Sequence, residues 1–235
     1  MRPDVLAIAV DVLVLAAFEP ELTHLRASLD FGAGDDGARD TARVGAISVA
    51  LGLVGVGALA AAVGATTLVI GLVPRVVVLV GTCGAYPGAG LAVDDVVVSR
   101  RLCLVDPSSL EGKTQFPSPM GSALETSDAL ASALARAGAR PARVATTLAI
   151  TVDDALAAAI AGGAGVDVEH LETHAVATAC AARGVPFAAV LGVANPVGAR
   201  GREEWRAHHR GAEAAAGECV MQWLRAGAPG VADRA

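Results

Sequence analysis

The sequence is poor in aromatics, in charge and in basic runs. Only 3% of its 235 residues are Phe, Tyr or Trp, and only 18% are charged, against roughly 25% in an ordinary soluble domain. Its 18 basic and 24 acidic residues leave a formal net charge of −6. No stretch is rich in Lys or Arg, which excludes an electrostatic nucleic-acid surface. Four cysteines (Cys83, Cys103, Cys180 and Cys219) lie far apart, without a C-x-x-C pair. That spacing excludes a zinc ribbon or disulfide scaffold and fits the reducing cytoplasm. What is abundant is apolar: 54% of the chain is hydrophobic and the mean hydropathy is +0.54. Disorder is therefore excluded as well, because such a chain can bury a core. The length suits one α/β domain over residues 1–235.

So little charge raises the membrane question. Between Arg43 and Arg75 there is no charged residue at all, and about 20 apolar residues suffice to span a bilayer. The order of residue types argues otherwise. Ile47 to Val54 is β-branched and alternating, Gly55-Val-Gly57 is a turn, and ALAAAVGATTLVIGL is Ala- and Leu-rich and stops at Pro74, as a helix would. RVVVLVGTCGAYPG follows as another apolar strand. Strand, turn, helix, strand is a βαβ unit, and parallel strands covered on both faces read as continuous apolar runs. No Trp or Tyr belt marks a bilayer interface. At the N-terminus, Arg2 and an apolar stretch mimic a secretory leader, but Asp4 and Asp11 interrupt it, which predicts a protein that is not secreted.

The same grammar continues. Strands are predicted at Asp11–Phe18, Val96–Ser99 and Val144–Val152, and along VPFAAVLGVAN. Helices are predicted after Glu19-Pro20-Glu21, after the Thr126-Ser127-Asp128 cap, over ETHAVATACAARG, and over the C-terminal REEWRAHHRGAEAAAGECVMQWLRA. The segment Asp106 to Gly121 reads as a long loop, of a size that is usually functional or ordered by a partner.

Two generic motifs fail on inspection. Gly55-Val-Gly57-x-x-Ala60 opens a helix after a strand, but no acid follows until Asp94 and it is not the first βα unit, so a dinucleotide site is not expected. His170 and His174 stand four apart, as zinc ligands on one helix face would, but no third ligand is apparent. No metal and no cofactor are predicted. More telling is that strand ends carry polar residues. Glu19 and Glu21 follow one strand, Gly81-Thr82-Cys83-Gly84 ends another, and Asn195 ends a third, with Glu172 at or before a helix start. Ligands of open α/β sheets bind at such strand ends.

Five stretches in this order resemble the purine and uridine nucleoside phosphorylase family, including its methylthioadenosine and futalosine nucleosidases. They are AAFEPEL (16–22), GLVGVGALAAAVGAT (52–66), VVVLVGTCGAYPGAGLAVDDVVVS (76–99), VEHLETHAVATAC (168–180) and VPFAAVLGVANPVGARGREEW (185–205). The resemblance implies a three-layer α/β/α fold with a mixed, partly barrelled central sheet. It also implies cleavage of an N-ribosidic bond and assembly as a dimer or larger homo-oligomer. By resemblance, Glu21 matches the glutamate that activates water and Glu172 the acid that binds the ribose hydroxyls. Leu171 stands where the family usually has Met under the sugar, Thr82 where Ser or Thr contacts the nucleophile, and Asn195 where adenine nucleosidases have their base-protonating Asp. Gly57, Cys83, Gly84 and Trp205 complete the expected substrate-binding set.

The departures are informative. Asn cannot give up a proton, but it can donate to N7 of a purine and accept from a purine N–H, which points to a 6-oxopurine. Phosphorylases resembling the GTCGA stretch carry Arg two places before its first Gly; here Leu79 stands there, so an oxyanion would lack its usual partner. Asn195-Pro-Val-Gly-Ala-Arg-Gly-Arg-Glu-Glu-Trp205 resembles the S-N-x-V-G-x-R-[DN]-x-x-x-W stretch of futalosine hydrolases, which release hypoxanthine in a menaquinone pathway. It departs at Leu191, Ala194 and Gly201. The reading is a cytoplasmic nucleoside hydrolase acting on a small-molecule nucleoside. A phosphate-dependent phosphorylase and a nucleoside-binding protein without turnover are its alternatives. Arg200 or Arg202 could meet an acidic substrate tail, Asp153, Asp154 and Leu156 lie near where the family recognises the base, and the 106–121 loop could reach a neighbour's site.

Overall fold

A computed structural model describes residues 9–30 and 41–231; Arg2 and Asp4 lie outside the described residues. The strands are β1 (Val12–Ala16), β2 (Thr41–Val44), β3 (Ile47–Leu53), β4 (Val76–Ala85), β5 (Val96–Leu104), β6 (Ala123–Glu125), β7 (Arg140–Thr146), β8 (Val168–Glu169) and β9 (Phe187–Pro196). The helices are α1 (Thr23–Ser28), α2 (Ala58–Leu72), α3 (Pro107–Leu110), α4 (Asp128–Arg136), α5 (Asp154–Ala164), α6 (Thr173–Ala181) and α7 (Gly201–Arg225). A short 3-10 turn, Glu19–Leu22, links β1 to α1.

The mixed sheet runs β2-β3-β1-β4-β8-β7-β5-β6, and β9 pairs with both β4 and β5. β4, β8, β7, β5 and β9 therefore close a five-stranded ring, while β1, β3 and β2 extend from its side as a sheet. The period of two along the strands feeds two helical layers. Val12, Val14, Val76, Val78 and Val80 pack with α1, α4 and α7, whereas Leu13, Leu15, Val77 and Leu79 pack with α2 and α6. Burial on both faces explains the unbroken apolar runs of β1 and β4. The uncharged stretch before Arg75 is thus β3, a glycine turn and α2, and no described helix is long and apolar enough to cross a membrane. α2 is not buried all round, however: Leu59, Val63 and Ile70 lie on its outer face.

Two expectations need correction. The strand predicted at Val144–Val152 is displaced; β7 ends at Thr146. The buried Glu169 draws the following segment out of the ladder by accepting from Thr151 N–H at 3.0 Å and from Thr151 Oγ1 at 2.6 Å. Nor is 106–121 wholly irregular. Asp106 caps α3, accepting from Ser108 N–H at 3.1 Å.

Candidate active site

β4 is where the site begins. Its first half pairs with β1 as far as Leu15↔Leu79, and its end pairs with β8 from Gly84↔Glu169 onward. Between those pairs only β9 runs beside it, so on the β1 side the main chain at Gly81–Cys83 has no ladder partner. The carboxylate of Glu21 fills this gap. Its Oε1 accepts from Thr82 N–H at 2.9 Å and from Thr82 Oγ1 at 3.2 Å, and its Oε2 accepts from Ala17 N–H at 3.2 Å. Space favours glycine at position 81: a Cβ there would lie 2.9 Å from Glu21 Oε1 and 3.1 Å from His170 Nε2, so one of those side chains would have to move.

A cavity of about 400 Å³ opens above the gap. Of the residues singled out in the sequence, Glu21, Thr82, Cys83, Gly84, Leu171, Glu172, Asn195 and Trp205 all line it. Gly57 does not. Its N–H donates to Glu172 Oε1 at 2.6 Å, so the glycine turn at the start of α2 holds a carboxylate of its own chain, as helix N-termini favour. Glu172 precedes the first residue of α6. Asn195 reaches the cavity through a bulge: Cys83 pairs with Val193 but Gly84 with Asn195, so Ala194 is the extra residue and the strand is re-aimed. The Asn195 Nδ2 donates to Pro196 O at 2.7 Å. The Trp205 indole donates from Nε1 to Thr82 Oγ1 at 3.1 Å, stacks on His209 at 4.4 Å and lies 6.4 Å from Phe18. Leu79 and Leu191 are fully buried in the core instead.

Electrostatics set Glu21 apart from a surface carboxylate. Burial pushes Glu21 up to about 7, the Thr82 N–H opposes this, and the nearby charge of Glu172 adds to it. Burial likewise pushes the Cys83 thiol far up, so it stays protonated. His170 is buried, and desolvation holds its imidazole below the ordinary value against the pull of Glu172. A buried neutral imidazole beside an acid is not evident from the sequence, although Glu172 stands two residues from His170. Glu169 is a second such case. It accepts from Tyr86 Oη at 2.8 Å as well as from Thr151, and so stiffens the cavity wall.

Arg202 lines the cavity, while Arg200 pairs with Glu204 on the surface. Asp153 caps α5, accepting from Leu156 N–H at 2.7 Å, and Asp154 accepts from Ala199 N–H at 2.8 Å. Asp153 and Leu156 border an adjoining apolar cavity under the 106–121 segment, which shares Ile150, Thr151 and Val152 with the first. His170 precedes α6 and His174 lies within it, and among the described residues no group of three or more His, Cys, Asp or Glu side chains is arranged to hold a metal ion.

A family model described as the phosphorylase superfamily matches residues 11–225. The chain belongs to the phosphorylase superfamily. Its fold is that of solved superfamily structures. Futalosine hydrolase of Helicobacter pylori strain 26695 superposes with a TM-score of 0.81 at 14% identity, covering 93% of this chain and 97% of that one. The 5'-methylthioadenosine/S-adenosylhomocysteine nucleosidase of Neisseria meningitidis, in complex with methylthio-immucillin-A, superposes with a TM-score of 0.79 at 21% identity, covering 92% and 99%. The S-adenosylhomocysteine nucleosidase of Streptococcus pyogenes, in complex with 5-methylthiotubericidin, gives 0.81 at 20% identity, covering 93% and 97%. A search of curated proteins found no match.

Proposed function

We propose that this protein hydrolyses the N-ribosidic bond of a nucleoside, with water activated by Glu21, and that the base is a 6-oxopurine such as that of futalosine. The observation that carries the reading is Glu21 itself. A buried carboxyl raised to about 7 is matched to accept a proton at neutral pH, and it lies on a cavity wall with a second acid, Glu172. In the reaction Glu21 takes the proton of water as the water oxygen bonds to C1′. The C1′–N bond breaks and its electron pair leaves with the base. Glu172, anchored by Gly57 N–H, accepts from the ribose hydroxyls, and its negative charge favours the positive charge growing on the sugar. Asn195 offers an amide that can donate to N7 and accept from an N–H of the base, without supplying a proton.

Water rather than phosphate suits this site. The position that carries Arg in phosphorylases of this type is Leu79, sealed in the core, and a phosphate beside Glu21 would meet like charge. The structural neighbours named as nucleosidases support the hydrolytic reading, and the futalosine hydrolase among them supports the choice of substrate together with the N-P-V-G-A-R stretch. The test is base release from a panel of nucleosides, futalosine, inosine and methylthioadenosine included, with and without phosphate. Release from a 6-oxopurine nucleoside without phosphate, lost in Glu21→Gln, is expected. Formation of ribose 1-phosphate only when phosphate is present would overturn it.

A further inference from the structure

Glu169 is an acid that the proposed reaction does not use. It is buried, with 8% of its surface exposed, yet it lines the cavity. Three neutral donors hold its carboxylate. Thr151 N–H donates to Oε1 at 3.0 Å, and Thr151 Oγ1 and Tyr86 Oη donate to Oε2 at 2.6 Å and 2.8 Å. Burial, then the charge of Glu169, pushes the Tyr86 hydroxyl far above its ordinary value, so it stays a donor. A carboxylate offers about four lone-pair sites. Among the described residues no cation pairs with Glu169 and no fourth donor meets it, which leaves a site on Oε1. A buried carboxylate without a countercharge, on the wall of a cavity, gains from a donor brought by a ligand.

The sheet register shows which neighbour that ligand also meets. Glu169 of β8 and Asn195 of β9 both pair with Gly84 of β4, one from each side. Paired residues present their side chains to the same face of a sheet, and all three positions line the cavity. Gly84 places no side chain between the two. The Asn195 amide leans over it, since a Cβ at Gly84 would lie 3.0 Å from Asn195 Nδ2. An amide and a carboxylate thus stand on one face, on strands two places apart.

We propose that Glu169 is a specificity-determining residue: its carboxylate accepts from a ring N–H of the base and so selects a 6-oxopurine over a 6-aminopurine. This role rests on the cavity holding a nucleoside base at Asn195, as proposed for the function. A 6-oxopurine carries a proton on N1 and donates there. A 6-aminopurine has a lone pair on N1, which would meet the carboxylate charge. N1 and N7 stand on either side of the C6 substituent, so one edge of the base can reach the amide and the carboxylate together. A site built to pair a buried polar group rejects the analogue that lacks the partner.

Free bases test this without turnover. Calorimetry of the full chain measures hypoxanthine and adenine binding to the wild type and to Glu169→Gln. The Gln oxygen still accepts from Thr151 N–H, and its NH2 can donate to the Thr151 and Tyr86 hydroxyls, so the cavity wall is retained while the charge is lost. The wild type is expected to bind hypoxanthine on the order of tenfold or more tighter than adenine. In Glu169→Gln hypoxanthine is expected to weaken on the order of tenfold, with adenine within about twofold of wild type. A Glu169 that only stiffens the wall would weaken both bases alike, and that result overturns the proposal. Should the variant not fold, 1-methylhypoxanthine, which lacks the N1 proton, decides on the wild type. Binding on the order of tenfold weaker than hypoxanthine is expected; equal binding, or no binding of hypoxanthine at all, overturns the proposal. If the base preference shifts as expected but no nucleoside is hydrolysed, the hydrolytic reading falls and the role of Glu169 stands. If a 6-oxopurine nucleoside is hydrolysed and the preference is unchanged in Glu169→Gln, the role of Glu169 alone falls.

Discussion

Gly57 and Glu172, 115 residues apart in the chain, are joined by a 2.6 Å hydrogen bond from the glycine N–H to Oε1. The bond ties the α2 turn to the start of α6 and fixes a carboxylate where the sugar is proposed to lie. Glu172→Gln keeps an acceptor for Gly57 but removes the charge. Its stability is expected to stay within about 1 kcal/mol of wild type, while kcat/KM falls about a hundredfold. Thermal unfolding and steady-state kinetics check the two halves separately.

Glu21 makes stability depend on pH. Its carboxyl is raised from 4.5 to about 7 in the fold, so the folded state binds the proton more tightly than the unfolded chain does. The stabilising contribution is whole below about 4.5 and is lost as pH rises through about 7. Two and a half pH units correspond to about 3 kcal/mol. Urea unfolding at pH 5 and pH 8 is expected to show a fall that is smaller in Glu21→Gln, with the variant the more stable protein at pH 8. Activity is expected to run the other way: with Glu21 as the proposed base, kcat falls below about pH 7 in a pH–rate profile.

Gly81→Ala places a methyl 2.9 Å from Glu21 Oε1 and 3.1 Å from His170 Nε2. The added carbon wedges the acid away from Thr82. A stability loss of about 1–3 kcal/mol is expected from the overpacking, with kcat lowered about a hundredfold or more. Calorimetry and turnover of the purified variant would show it; full activity would contradict the geometry.

Much of this was legible in the chain, for identifiable reasons. β1, β4 and β9 were readable because both faces of each are buried, so their apolar runs are long, and β3 because it is β-branched and alternating. α2 was readable because Pro74 stops it, and α4 because Ser127 caps it. β8 has two residues and no periodicity to read. The segment after Thr146 looked like strand because Leu148, Ile150 and Val152 are apolar, yet all three are exposed, and Thr151 belongs to Glu169. α5 is hard to read in the sequence although Asp153 caps it, because the apolar run just before it has the look of a strand. The family motifs located the cavity lining, all but Gly57. The burial of His170 beside Glu172 was not legible, because the packing that buries its ring forms only in three dimensions.

Trp205 tests the reach of the network. Trp205→Phe removes the Nε1–H donated to Thr82 Oγ1 and keeps a ring against His209. The freed hydroxyl can turn from Glu21, and kcat is expected to fall several-fold, about the worth of one hydrogen bond, with the melting temperature nearly unchanged. Kinetics of this variant beside Thr82→Ala would show non-additive losses if the indole acts through the hydroxyl.

The forked pairing of β4 has a consequence for redesign. The socket that seats Glu21 is made of main-chain donors left over where one strand partner ends and the next has not begun, so it belongs to the path of the backbone and to no single side chain. Substituting the pocket lining can change what plugs the socket but cannot abolish it. A new chemistry grafted onto this scaffold would inherit a ready-made, water-shielded seat for a carboxyl group that keeps its proton up to about pH 7.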